Sequence, residues 1–340
     1  MSAQKRIYPV FIPHLGCPHS CVFCNQRAIT GTAADEALDQ LNSLIECPPQ
    51  EGAYELAFYG GSFTAIPLAQ QLRFLEAAQR ARDAGSISSI RLSTRPDAIH
   101  SEVLERLRQY GVGTIELGAQ SMQDKVLRAS GRGHSAEDVR IASRMIREAG
   151  FQLVLQMMTG LPEDDDEGAV STARELIALH PDAVRIYPTV IVRGTELEKR
   201  WKAGRYREHT VEDAVRVCAR LLPLFEEAEI PVIRLGLNPT DELSGGAALA
   251  GAYHPALGEL VRSRILRNQA EKLLREMGCK GKSVTICVPP RQLSQMIGQK
   301  RCNVEWLKDQ FELRKLRIIA DGRGTKPEVE IDSEAVNHKK

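Results

Sequence analysis

The chain reads as an α/β protein: a run of βα units building a parallel sheet, then a smaller α+β domain. Three observations point there. Six short β-rich runs alternate with longer amphipathic stretches up to about residue 236, the pattern of helices that cross over between parallel strands. A cysteine-rich loop follows the first run. Beyond about residue 278 the order becomes strand, helix, helix, strand, and the charge changes with it.

At 340 residues, 43% hydrophobic and 26% charged, the chain has room for one large α/β domain and a small appendage. No apolar run reaches the ~18 residues a membrane span requires, and MSAQKRIYPVFI at the start has no signal-peptide core. A cytoplasmic protein without a membrane partner is therefore expected. The net charge of +1 is unevenly spread: residues 278–340 carry 13 Lys and Arg against 8 Asp and Glu, a balance of +5, which leaves −4 for the rest. A basic tail on a mildly acidic body suggests a polyanionic partner.

The first strand, Arg6 to Ile12, leads into PHLGCPHSCVFCNQRAI, where Cys17, Cys21 and Cys24 stand in a C-x3-C-x2-C spacing with Phe23 before the last. Three thiolates on one loop can each ligate an iron of a cubane 4Fe-4S cluster, leaving the fourth iron open to a substrate or cosubstrate. The plain alternatives are a zinc knuckle completed by His14 or His19, since structural zinc takes four ligands, or cysteines clustered by chance. Cys47, Cys218, Cys279, Cys287 and Cys302 have no metal-ligand spacing and read as small buried hydrophobes.

The next strands are expected at Tyr54 to Tyr59, Ile87 to Ser93, Thr114 to Ala119, Gln152 to Met157 and Ala183 to Val192. Gly60 and Gly61, with Ser62, leave bare backbone for a ligand to approach. Pro96 favours an extended Arg95, and Asp97 is placed to cap the following helix. Glu163 to Glu167 suits a solvated helix start, where carboxylates favour the dipole. Met157 and Met158 read as core.

The cysteine spacing with its aromatic residue resembles the signature of the radical S-adenosylmethionine (SAM) enzymes. That resemblance implies a partial (β/α)6 TIM-like barrel with chemistry at the carboxyl ends of its strands, a 4Fe-4S cluster on Cys17, Cys21 and Cys24, SAM on the open iron, and a reducing electron-donor protein. It also implies SAM contacts: Phe23 near the adenine, Gly60, Gly61 and Ser62 at the methionine amino group, Gln120 and Gln156 at the ribose, and Arg132 at the carboxylate, where a guanidinium fork meets two oxygens. Ser93 stands where related enzymes often place a glutamate. For His134 the favoured reading is a helix-start residue with no ligand role.

TIELGAQS, RGH, GLP and, above all, Asp182 to Leu197 (DAVRIYPTVIVRGTEL) resemble the Elongator catalytic subunits, which act on wobble uridine in tRNA. About 100 residues remain after Leu237, fewer than an acetyltransferase domain generally needs, so acetyl transfer is not carried over. Gly236 to Pro255, including Tyr253 and His254, is expected to close the barrel mouth.

The boundaries expected are a core over 1–257, a linker helix over 258–278, a small domain over 279–331 and a frayed tail over 332–340. The small domain is read as strand Ser283 to Val288, helix Arg291 to Ile297, helix Asn303 to Phe311 and strand Lys315 to Ala320. It resembles a KH domain, whose GXXG loop clamps a nucleic-acid backbone. Here Gly298, Gln299, Lys300 and Arg301 occupy that loop, with Arg301 in place of the second glycine.

Together these readings imply a radical SAM enzyme acting in tRNA or rRNA modification, with RNA rather than DNA as partner. Two rivals stand beside it. Anaerobic coproporphyrinogen oxidases share the glycine, glutamine and arginine motifs, and a non-catalytic iron–sulfur RNA-binding sensor would share the cysteines and the tail.

Overall fold

A computed structural model of the chain describes residues 6–12, 17, 19–25, 34–46, 54–237, 243–321, 324 and 326–332. His14, Cys47 and most of the expected tail lie outside these residues. The chain divides into two units, one running to Thr210 and resuming over Leu221–Tyr253, the other made of Val211–Arg220 and the chain from His254 onward.

The first unit is built on a seven-stranded sheet of β1 (Arg6–Phe11), β2 (Tyr54–Tyr59), β3 (Ser89–Thr94), β4 (Val112–Gln120), β5 (Gln152–Thr159), β6 (Ala183–Pro188) and, beyond a short strand, β8 (Val232–Leu235). Neighbours along this order pair in parallel throughout, giving the α/β half-barrel of the expected class. The crossovers carry α1 (Ala34–Glu46), α2 (Leu68–Asp83), α3 (Ser101–Gln109), α4 (Asp124–Ala129), α5 (Ala136–Glu148), α6 (Asp166–Ala178), α7 (Glu196–Lys202) and α8 (Val211–Glu227), of which Val211–Arg220 is counted with the second unit. Their starts obey local chemistry. Ser135 and Asp138 form a reciprocal capping box on α5, and Asp165 and Thr195 cap α6 and α7 through their side chains.

Two features depart from the sequence reading. The sheet has a seventh strand, β8, which the count of six missed because VIRL is neither uniformly buried nor cleanly alternating. The long sixth strand is broken: β6 ends at Pro188, which has no N–H for a ladder, and β7 (Val190–Val192) leaves to pair antiparallel with β9 (Ala248–Gly251). Thr189 marks the corner, its N–H and Oγ1 both donating to Thr159 O at 2.9 and 2.8 Å. Gly251 takes φ +98° there, and a Cβ would lie 2.8 Å from Thr189 O.

The second unit places α9 (Leu257–Glu276) against a three-stranded sheet ordered β11 (Lys315–Ala320), β10 (Ser283–Val288), β12 (Glu328–Ile331). β10 and β11 are parallel, while β10 and β12 are antiparallel. Between β10 and β11 come α10 (Leu293–Ile297) and α11 (Cys302–Gln310). Leu266, Ala270 and Leu274 of the helix read as a linker are part of this unit's core, with Val284, Ile286, Val288, Met296 and Leu307. No helix among the described residues is long and apolar enough to cross a membrane.

Candidate functional site

The cysteine loop is held at the carboxyl ends of the strands by hydrogen bonds to two segments, the turn at Ser130 and the stretch from Arg193 to Leu197. Val22 N donates to Ser130 O at 3.0 Å, Val22 O accepts from Leu197 N at 2.7 Å, and Asn25 Nδ2 donates to Arg193 O at 2.8 Å. Val22 also packs with Ile191 and Leu197, and Phe23 lies against the same cluster with Trp201 and Tyr206. The end of the Asp182 to Leu197 stretch, IVRGTEL, is thus a segment that grips this loop. Glycine is needed where the loop comes close: at Gly133, with φ +73°, a Cβ would fall 2.4 Å from the His19 ring, and at Gly131 a Cβ would be 3.1 Å from Ser20 O.

Two buried arginines face the thiols. Arg132 Nη1 approaches Cys21 Sγ at 3.4 Å and Nη2 donates to Gly118 O at 2.7 Å. Arg95 Nη1 approaches Cys17 Sγ at 3.2 Å. Its other donors reach the Arg132 carbonyl and, at 2.6 Å, Asp97 Oδ1. Asp97 therefore does not cap a helix as the sequence suggested; the short turn after Arg95 has no side-chain cap. Asp97 neutralises Arg95 and meets His19 Nε2 at 3.7 Å. Among the described residues no three His, Cys, Asp or Glu side chains close on a single point as ligands of one metal ion. Cys17, Cys21 and Cys24 share one loop without forming such a set.

Gln120 and Arg132 meet over Gly118, where a Cβ would lie 2.9 Å from Gln120 Nε2 and 3.2 Å from Arg132 Nη2. Gln120 is held at φ +65°, a conformation costly for a side-chain-bearing residue, and β4 shifts register between Gly118 and Gln120. Gln120 Oε1 and Arg132 Nε are buried without a partner. So is His134 Nδ1; His134 Nε2 sits 3.2 Å from Ala119 O. Burial and the Arg132 charge pull His134 down to about 4, so it is neutral near pH 7. Gly60 has φ +102° and is followed by Gly61 and by Ser62, which begins a single 3-10 turn.

Below this rim the barrel interior carries a charge network. Glu116, fully buried on β4, accepts from Tyr59 Oη at 3.0 Å, Arg91 Nη1 at 2.9 Å, Arg185 Nη2 at 2.8 Å and Gln156 Nε2 at 2.7 Å. Gln156 Nε2 also reaches Ser93 Oγ at 3.3 Å. Burial first, then Glu116, pushes Tyr59 well up, keeping it a protonated donor. An acid missing at Ser93 is thereby present one strand away. Sequence reasoning missed Glu116, Arg91, Arg185 and Arg95 as site residues. Strand alternation was the available signal for Glu116, since it shares the Gly118 face of β4.

The donor set suits the cofactors of the resemblance. Three thiols on one loop are the ligand type of iron–sulfur clusters, two of them lie within reach of a guanidinium, and the unpartnered Gln120 Oε1 and Arg132 Nε offer an acceptor and a charged donor to a ligand beside them. In the second unit Gly298 takes φ +78°, while Lys300 and Arg301 take left-handed values of +50° and +64°. Buried Asn303 pins the loop's end, donating to Ser263 O, Ser263 Oγ and Gln295 O at 2.9 to 3.1 Å. Cys302 beside it is exposed, unlike buried Cys218, Cys279 and Cys287.

Comparison with known proteins agrees with this geometry. Residues 11–176 match the profile of the radical SAM superfamily and residues 181–267 that of the radical SAM C-terminal domain. The chain is similar to Elongator complex protein 3 of Homo sapiens, 35% identical over 138 residues, covering 40% of this chain and 25% of that protein. It is also similar to a tRNA uridine(34) acetyltransferase of Dehalococcoides mccartyi, 25% identical over 278 residues, covering 68% and 61%. The matched part thus spans from a quarter to about three fifths of these relatives. Among solved structures, Elp3 of Methanocaldococcus infernus aligns with TM-score 0.58 at 22% identity, over 81% of this chain and 64% of that one. With two consecutive profiles of one family covering residues 11–176 and 181–267, the chain belongs to the radical SAM superfamily of enzymes.

Proposed function

We propose that the chain cleaves SAM at a 4Fe-4S cluster held by Cys17, Cys21 and Cys24 and applies the resulting radical to RNA or to a group being attached to RNA. The observation that carries the first part is the meeting of the cysteine loop with two buried, unpartnered polar atoms, Gln120 Oε1 and Arg132 Nε. When bound, cluster and SAM supply a one-electron cleavage giving a 5′-deoxyadenosyl radical that takes a hydrogen atom from an otherwise inert carbon. The protein's part is positioning. Arg132 offers Nε to the SAM carboxylate, and Gln120 offers Oε1 to a ribose hydroxyl. Gly60, Gly61 and Ser62 expose main chain and a hydroxyl to the amino group, and Phe23 supplies an apolar wall for the adenine. Gln156 has its amide nitrogen committed to Ser93 and Glu116, so its oxygen is the end left for a ligand.

RNA as substrate is supported by two things. The relatives include proteins named for activity on uridine 34 of tRNA, and the second unit has the strand, helix, loop, helix, strand order of a KH core with Lys300 and Arg301 exposed on its loop. The test is anaerobic: reconstitute iron and sulfide, add dithionite and SAM, and measure 5′-deoxyadenosine with and without total tRNA or rRNA. Formation that needs all three cysteines and rises with RNA is expected. A bound cluster with no cleavage under any condition would favour the sensor.

A further inference from the structure

We infer that Arg95 is a positioning residue that raises the reduction potential of the cluster by donating a hydrogen bond to the Cys17 sulfur, an inference that rests on the assignment of Cys17, Cys21 and Cys24 as its ligands. Arg95 is 1% exposed and the largest fully buried side chain among the described residues. Burying a guanidinium is costly unless its donors and charge are met. Its partners come from three separate places: Asp97 two residues on, the main chain of Arg132, and Cys17, which is 78 positions away in sequence.

A purely structural arginine would be served by the first two. A neutral thiol is a weak acceptor, so pointing Nη1 at Cys17 Sγ is worth its burial when that sulfur is negative. A thiolate bound to iron is such an acceptor. Hydrogen bonds and positive charge at cluster sulfurs favour the reduced form, which carries one more negative charge. Arg132 makes a similar approach to Cys21 but is also the carboxylate contact for SAM. Arg95 is fully buried and has its remaining donors fixed, so its effect persists whether or not SAM is present. Asp97, 25% exposed, balances the guanidinium through Nε rather than through the Nη1 that meets the sulfur.

The test is a redox titration of the reconstituted full chain, without SAM, followed by electron paramagnetic resonance of the reduced cluster. Arg95→Gln is expected to move the midpoint to a more negative potential. Arg95→Lys, which keeps the charge but loses the fork, should move it less in the same direction. A deuteron coupling to the wild-type cluster after exchange into heavy water should weaken in both variants. If Arg95→Gln does not fold, Arg95→Lys carries the measurement. Variants with a full cluster, the wild-type midpoint and the wild-type coupling overturn the inference alone. A wild-type chain that takes up no cluster, or one whose cluster is unaffected by Cys17→Ala, overturns the ligand assignment and this inference with it.

Discussion

Glu116 uses two carboxylate oxygens to hold four donors from four other strands, and it does so with no exposure to water. Such a carboxylate is tolerable because Arg91 and Arg185 flank it; Arg185 in turn relies on Glu116, while Arg91 is shared with buried Glu55, which accepts from its Nε at 2.8 Å. Glu116→Gln keeps the shape but leaves Arg185 short of charge, while Arg91 retains Glu55. A loss of about 3 to 5 kcal/mol in urea unfolding is expected, the usual cost of breaking a buried pair from one side; an unchanged midpoint would show Arg185 to be served elsewhere. His134 gives a prediction in pH. Its neutral form is favoured in the fold, with the folded value at about 4 against 6.5 unfolded. As pH falls from 6.5 toward 4 the unfolded chain takes up the proton first, so folding stability drains away across that window, by about 3 kcal/mol at its end. Asp164 works the other way. Burial first raises it to about 7, so its folded form gains on acidification. The sign is therefore read from a difference: apo wild type should lose more stability than His134→Gln between pH 7 and pH 4, and equal losses would refute it.

The described residues of the cysteine loop, 17 and 19–25, include no helix or strand and are held by β7, α7 and the turn from Ser130 to Gly133. Gly133→Ala puts a methyl group into the His19 ring at a left-handed φ, so the His19 side chain and the turn at Gly133 must give while the sheet need not. Reconstituted Gly133→Ala should hold far less iron than wild type at an unchanged far-ultraviolet spectrum; full iron content would show that the loop does not depend on this contact. Much of this scale was legible in the sequence. β2 has the bounds read from its pattern, Tyr54–Tyr59, because a run of buried residues between turn signals is a local property. The cysteine trio and the residues flanking Gly118 were legible because their chemistry is tied to spacing. Arg95 was not, since Arg-Pro-Asp reads locally as a turn and its meaning lies in Cys17, 78 positions away. Nor was the bend at Thr189, because VRIYPTVIV has the composition of one strand throughout and only the hydrogen bonds to Thr159 reveal the corner.

At the scale of the whole molecule, the charge division seen in the sequence coincides with a change of architecture, and the second unit puts its two most suggestive cations on a strained loop. Lys300 and Arg301 both sit at positive φ, where a side-chain-bearing residue pays roughly 1 kcal/mol that glycine does not. Arg301, which stands where the proposed KH reading of this loop would have its second glycine, keeps glycine's conformation without glycine's ease. A residue kept there against that cost is expected to contribute something glycine would not, and phosphate contact is the contribution its charge offers. Arg301→Gly separates the two effects. It should stabilise the unit by up to about 1 kcal/mol and weaken RNA binding, whereas a loop that only packs would gain stability with no change in binding. Lys300→Ala with Arg301→Ala should flatten the dependence of log affinity on log salt by roughly 1.4 if both cations meet phosphates of a single strand, weakening all RNA sequences alike. SAM cleavage without RNA should be unaffected by either variant, since neither cation belongs to the barrel unit. A salt slope equal to that of wild type would remove this loop from the RNA site and leave the second unit's basic charge without the role assigned to it.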